Sequence, residues 1–202
     1  MAKTSLNITE SNAVIQKRIN VALARPLNKK LQAAARKIKS AVSPVIEAAL
    51  LSSPEMSSVS SGSLRAEFGL EADPSSEIVS AIVGSLDVVV DPVDRNLNGG
   101  VTLVVQPKSF ANLLSLSSAE QPINGGSIPW LRWLLTVGDS VIIADFGVEF
   151  GPHGRSGGGR MSPNFAPYKV PSSFSGTADD NFITRAIGRV FPEIQSIIRR
   201  AF

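Results

Sequence analysis

The sequence predicts an α+β fold: an antiparallel β-sheet packed against a long N-terminal helix and a C-terminal helix, with a Gly-rich loop ahead of the last helix. Three observations carry that prediction. Apolar residues recur every three or four positions over 13–51 and again over 182–198, the spacing of one helix face. Between them, segments at 64–70, 78–90, 101–106 and 142–150 are β-branched or alternate at period two, as strands do. Residues 151–176 are rich in Gly, Pro and Ser and show neither period. At 202 residues, the chain has the length of a single domain, for which roughly 150 residues is typical.

The first helix is expected over 11–51. Ile15, Ile19, Leu23, Leu27, Leu31, Ala34, Ile38, Val42, Val45 and Ala49 form one apolar stripe. Ser11 is placed to cap it, because a serine hydroxyl accepts from an orphan amide of the first turn. Pro26 and Pro44 lack the amide a helix interior uses, so each is expected to kink or restart the helix. Residues 52–63 read as a serine-rich loop, and a β-rich core is expected over 63–150. Leu64, Ala66, Phe68 and Leu70 alternate as in a strand. Ile78–Val90 reads as one long strand, with Gly84 marking a bulge or a close backbone approach. The Asp-, Asn- and Gly-rich segment 91–100 reads as a hairpin loop leading to a return strand, Val101–Gln106.

Residues 108–119 suit a short helix. Another is expected over 127–137, with Pro129 tolerated in its first turn, Trp130, Trp133 and Leu134 on one face, and Gly138 ending it. Ile142–Phe150 alternates again, as a half-buried strand. Residues 151–176 form a loop long enough to be functional or ordered by a partner. The closing helix is expected over 177–202. Thr177 and Asp180 have capping-box spacing; Phe182, Ile183, Ala186, Ile187, Val190, Ile194, Ile197 and Ile198 form its apolar face; and Pro192 is expected to kink or restart it.

Composition excludes several classes. Hydrophobic residues make up 43% and charged residues 18%, with mean hydropathy +0.13, which is too apolar for an intrinsically disordered chain. The absence of cysteine excludes disulfides, thiolate metal sites and cysteine nucleophiles. The single histidine, His153, excludes His-pair metal motifs. The first residues hold no apolar run of the kind a secretory leader needs, and no stretch approaches the ~18 apolar residues of a membrane span. A cytosolic setting, or an assembly made there, is expected.

Charge is unevenly placed. From Ser11 to Ile46 there are eight basic residues (Lys17, Arg18, Arg25, Lys29, Lys30, Arg36, Lys37 and Lys39) and no acid. From Glu55 to Arg95 there are eight acids and two bases. The last segment turns basic again, with Arg185, Arg189, Arg199 and Arg200 against Glu193. Regions of opposite sign suit head-to-tail packing between copies, or a basic face toward nucleic acid; they equally suit solvated helix faces and a solvated acidic loop.

No catalytic constellation emerges. The glycine cluster 154–160, GRSGGGR, lacks the Gly-Lys-Ser/Thr of a phosphate-binding loop and leads into proline-rich coil rather than a helix. Arg155 and Arg160 suit contact with backbone phosphates or a neighbouring subunit, and equally a solvated loop. Asp145 and Glu149 share a strand face, but four residues of strand separate them by roughly 13 Å, too far to share an ion with His153. No serine sits in a G-x-S-x-G elbow. Trp130 and Trp133 could stack bases, although anchoring a short helix to the core explains them better.

The order of elements, together with Ser61-Gly62-Ser63-Leu64-Arg65 and Glu149-Phe150-Gly151, resembles the tail-completion and neck (head–tail joining) proteins of tailed bacteriophages. In that family a helix is followed by a TGxLR-like turn into the sheet, and a later strand ends in an EFG-like motif before a flexible loop. The segment Ile128–Leu135, followed by Gly138-Asp139 and the strand 141–150, resembles the same proteins. Ser61 replaces the family's threonine, and the region around 107–137 is an insertion that leaves tail completion, tail terminator and head–tail connector as alternatives. The resemblance implies a virion structural protein without enzymatic activity or cofactor, assembled in the host cytoplasm. It implies a homo-oligomeric ring, hexamer or dodecamer, around a DNA channel, in contact with other neck and tail proteins. Arg155, Arg160, Lys29, Lys30, Arg36 and Lys37 are then candidates for the interface or the channel lining; Gly62, Leu64, Arg65, Glu149, Phe150 and Gly151 are the family-motif residues. The alternative is a non-specific nucleic-acid-binding protein using the basic N-terminal helix.

Overall fold

The computed structural model describes residues 10–163 and 166–202. The leader-free reading of the N-terminus falls mostly on residues outside that range, as do positions 164 and 165 of the expected loop. The α+β class holds, with about 52% of the residues helical. The strands are antiparallel, and among the described residues they form three separate two-stranded ribbons.

α1 spans Asn12–Leu51 as one helix with Pro26 and Pro44 inside it. Neither proline restarts the chain. They lie 18 residues apart, about five turns, so both occupy the same face, and both are exposed. The carbonyls that lose an amide partner therefore face water, where the loss is small. Ser11 occupies the N-cap position, but its side chain makes no capping bond.

The segment expected as a loop and then a strand is helical. α2 covers Pro54–Ser61, with Ser53 accepting from the Met56 amide at 3.2 Å and Pro54 in the first turn. α3 covers Ser63–Phe68 and stops at Gly69, whose φ of +66° is the left-handed conformation that glycine adopts without strain. The apparent alternation of Leu64, Ala66, Phe68 and Leu70 arises because this short helix is covered on nearly every side; Glu67 is buried as well. A run this short and this buried carries no readable period.

The expected strand 78–90 divides in two. α4 is Ser75–Ser85, and only Asp87–Asp91 forms a strand, β1. Ile78, Val79 and Ile82 are buried at helical spacing. Gly84 lies inside α4 with open space around it, so it marks no bulge. The hairpin survives: β1 pairs with β2, Gly100–Val104, in the register Asp87↔Val104 to Asp91↔Gly100. Asp94 organises its loop by accepting from the Asn96 and Asn98 amides at 2.7 and 2.9 Å.

The expected helix over 108–119 shrinks to α5, Ala111–Leu114, and a 3-10 turn, Ser117–Ala119. β3 (Gln121–Ile123) and β4 (Gly126–Ile128) then form a hairpin about Asn124-Gly125. The helix expected at 127 starts later, as α6, Trp130–Arg132, and continues as a π-helical turn to Val137. Trp130 is fully buried; its indole N–H donates to the Ser118 carbonyl at 2.8 Å, and its ring lies 5.5 Å from that of Phe68. It is a core anchor, not a stacking platform.

β5 is Phe146–Phe150, shorter than expected because Ile143 instead bridges to Tyr168. The supposed loop contains β6, Gly159–Pro163, paired with β5 from Phe146↔Pro163 to Phe150↔Gly159. α7 runs from Phe182 to Ala201, again straight through its proline, Pro192. Its capping box is Asn181 with Thr184; Thr177 only accepts from the Asp180 amide, one turn earlier. Arg189 of α7 reaches the Ala49 carbonyl, while Ile197 and Arg200 line a groove with Lys37 and Ala41, so α7 lies antiparallel on the C-terminal half of α1. Ile38, Ile46, Phe68, Ile82, Trp130 and Phe182 sit in one continuous core.

Candidate functional site

The expected site residues fall into a basic helix, a glycine hairpin and a polar clasp. On α1, Lys29, Lys30, Arg36 and Lys37 are all exposed. Arg18, Arg25, Lys29 and Arg36 stand at i, i+7, i+11 and i+18, which places them on one line along the helix, about 27 Å from end to end. Lys30 and Lys37 form a second line, which reaches Arg200 of α7. Two members of the helix are already paired: Arg18 with Glu10 at 2.6 Å and Lys39 with Asp87 at 3.6 Å.

No described residue ahead of Leu31 is buried. Asn28 marks the last attachment to the body. Its amide nitrogen donates to the Val93 carbonyl at 3.3 Å, and its oxygen accepts from the Val93 amide at 2.6 Å. From Asn12 to Leu27 the helix stands clear of the body among the described residues, with Val14, Ile19, Val21 and Leu23 each more than 40% exposed.

The glycine cluster is a built hairpin. A Cβ on Gly154, which has φ +78°, would fall 1.9 Å from the Gly159 carbonyl oxygen. Arg160 pairs across the ribbon with Glu149 at 2.9 Å, and Ser162 donates to the same carboxylate oxygen at 2.9 Å. These two bonds, Arg160's first, hold the Glu149 carboxyl below its ordinary range. Arg155 donates to the Pro122 carbonyl and lies 3.9 Å from Glu71. Both arginines are therefore engaged within the chain. Phe150, at the end of β5, is 57% exposed, and Gly151 packs against the His153 ring.

The Gly62–Arg65 motif joins two helices and does not lead into a sheet. Gly62 lies against Ser58, Leu64 is fully buried, and Arg65 donates to the Ser60 and Glu71 carbonyls at 2.6 and 2.8 Å. Its role here is to close the α2–α3 turn. Asp145 lies ahead of β5 and is exposed. Among the described residues, no group of three His, Asp or Glu side chains could hold a metal ion. No helix among them is long and apolar enough to cross a membrane.

Three features are absent from any motif. Glu55, with its side chain 4% exposed, accepts from Arg185 at 2.8 and 3.1 Å across 130 residues of sequence. Glu67 is buried in α3 and accepts from the Tyr168 hydroxyl at 3.1 Å. Loss of hydration pushes the Glu67 carboxyl up to about 6, against the lowering effect of its hydroxyl donors; burial, then the charge of Glu67, pushes the Tyr168 phenol upward. The third feature is a cleft of about 580 Å³ between the α3–α4 segment and β3, bearing Glu71, Asp73, Glu77 and Glu120 beside Leu70, Pro74 and Ile123.

Only the acidity of 55–95 foreshadowed the cleft; its second wall comes from residues 117–124. The two long-range pairs gave no local signal. No family model matches the chain, and neither a curated protein nor a solved structure matches it.

Proposed function

We propose that this protein acts by assembly, as a structural subunit of the kind that builds the neck or tail of a tailed phage. In this reading copies form a ring around a DNA channel, next to other neck and tail proteins. The subunit belongs to the virion, whose parts are assembled in the host cytoplasm, and it performs no chemical step. The observation that supports it is the free half of α1: about 24 Å of helix at 1.5 Å per residue, apolar and basic at once, and not buried by any of the described residues. Exposed apolar residues in such a row mark a contact surface. The particular assembly is suggested by the sequence's resemblance to phage neck proteins, of which the long first helix, the β1–β2 hairpin, the strand ending at Phe150 and the closing helix remain in the fold.

The basic line of Arg18, Arg25, Lys29 and Arg36 supports a second reading, non-specific binding to nucleic acid. Light scattering on the full chain at low and moderate salt separates the two. Assembly gives a mass near a multiple of 21.3 kDa. A monomer that binds duplex DNA with an affinity falling steeply with salt supports the second reading.

A further inference from the structure

We infer that the free N-terminal half of α1, residues 12–27 with Lys29 at its base, docks into the acidic cleft between the α3–α4 segment and β3 of a second copy. This contact rests on the assembly reading and names the surface that would carry it.

The free half of α1 has a mixed face. Arg18 (paired with Glu10), Arg25 and Lys29 run down it, flanked within about 60° on one side by Val14 and Val21 and on the other by Ile15. Val14 and Val21 are among the exposed large hydrophobics, and Ile15 is half-buried. Nucleic acid would use the charges and leave the flanking apolar residues wet. A protein surface that alternates acid and hydrocarbon would use both.

The cleft is such a surface. Glu71, Glu77 and Glu120 are exposed on it, and Ile123 supplies exposed hydrocarbon beside them, above a floor of buried Leu70 and Pro74. Ser118 also lines it, with a buried hydroxyl that has no hydrogen-bond partner among the described residues. Four carboxylates face Arg155 alone among basic residues on this lining, so the cleft is short of positive charge, as the arm is of negative charge.

The occupant is a second copy and not the same one. α1 is a single helix fixed from Leu31 onward by the core and at Asn28 by the β1–β2 loop. None of its residues lines the cleft. Reaching its own cleft would require α1 to break and fold back. Arm into cleft is a heterologous contact: each copy gives one and receives one, so the contacts close into a ring if the rotation between copies allows and otherwise continue as a filament.

The test uses the full chain in a concentration series by light scattering at about 0.1 M salt, where exposed charges still act over ~10 Å. Two variants reverse charge: R25E/K29E on the arm and E77K/E120K on the cleft. Each alone is expected to weaken self-association about tenfold or more, because like charges then face one another. The chain with all four substitutions is expected to recover it, and a mixture of the two double variants to associate where neither does alone. Rescue of this kind does not arise from misfolding. An oligomer indifferent to both reversals overturns the contact and leaves the assembly reading standing. A wild-type chain monomeric throughout the series overturns both. Loss of duplex-DNA binding in R25E/K29E with unchanged self-association assigns the arm to nucleic acid and also overturns the contact.

Discussion

From Leu31 to Leu51, α1 has eight buried residues; from Asn12 to Asn28 it has none. The two halves are equally apolar in pattern and belong to one unbroken helix. What separates them is the step of the pattern. Ile15, Ile19, Leu23, Leu27 and Leu31 follow one another at four residues, and each such step advances about 40° around the helix. The stripe therefore winds, and meets the core face only at Leu31. Beyond that point the steps through Ala34, Ile38, Val42, Ile46 and Ala49 are three, four, four, four and three; the threes offset the fours, and the stripe stays on one side, against α7, α4 and β1. Periodicity reports that a segment is helical; the mixture of steps reports whether one straight surface covers it.

The contrast can be tested by substitution. Ile46→Ala, in the covered half, is expected to destabilise the protein by about 2–5 kcal/mol, as cavities in cores do, measured by urea unfolding. A loss under 1 kcal/mol would mean that the C-terminal half is no better packed than the arm. Arg185→Ala strands Glu55 beneath α7, the helix that covers this half. A loss of about 2 kcal/mol is expected, below the 3–5 of a fully buried pair because Arg185 is part exposed.

Glu67→Gln probes the body through pH. The folded Glu67 carboxyl titrates at about 6 against an ordinary 4.5, so the folded state holds that proton more tightly than the unfolded chain. Stability from this group is fully present below 4.5 and is lost as pH rises through 6. Glu67→Gln, which still accepts from Tyr168, is expected to match wild type at pH 4.5 and to be more stable by about 1 kcal/mol at pH 7.5. Parallel pH profiles for the two proteins would show that Glu67 is not desolvated. The smallest change belongs to the arm: Val21→Ala is expected to shift unfolding by under about 0.5 kcal/mol, as surface substitutions do, while weakening self-association. A loss comparable with that of Ile46→Ala would place Val21 against the body.

Long, periodic elements were legible in the sequence. α1 and α7 stand close to where pattern puts them, because each has enough residues to show its period, and the β1–β2 hairpin keeps its turn and return strand though only the last residues of its expected first strand. The compact middle was not. Ser53-Pro54-Glu55 is an N-cap followed by a first-turn proline and acid, a helix start hidden by serine-rich composition. Leu64–Leu70 is too short and too buried to show a period. Asn124-Gly125 is a hairpin signal in its own right, overlooked because the apolar residues after it suggested helix. The charges were visible as totals along the chain, but not as surfaces. Arg155 and Arg160, expected free, are tied to Pro122 and Glu149, while Glu67 and Tyr168 meet across 101 residues. Such pairings exist only once the chain has folded.

The continuity of α1 through Pro26 and Pro44 makes the helix a shaft whose two ends are locked in phase. One residue removed between Asn28 and Leu31 would shorten it by only about 1.5 Å but turn everything ahead of the cut by about 100°. Arg18 and Arg25 would then point a quarter-turn away from Arg36, out of the line they now share, although neither side chain is lost. Selection on this segment therefore acts on the count of residues as much as on their kind, and insertions that restore the phase, close to whole turns, are the ones it can absorb.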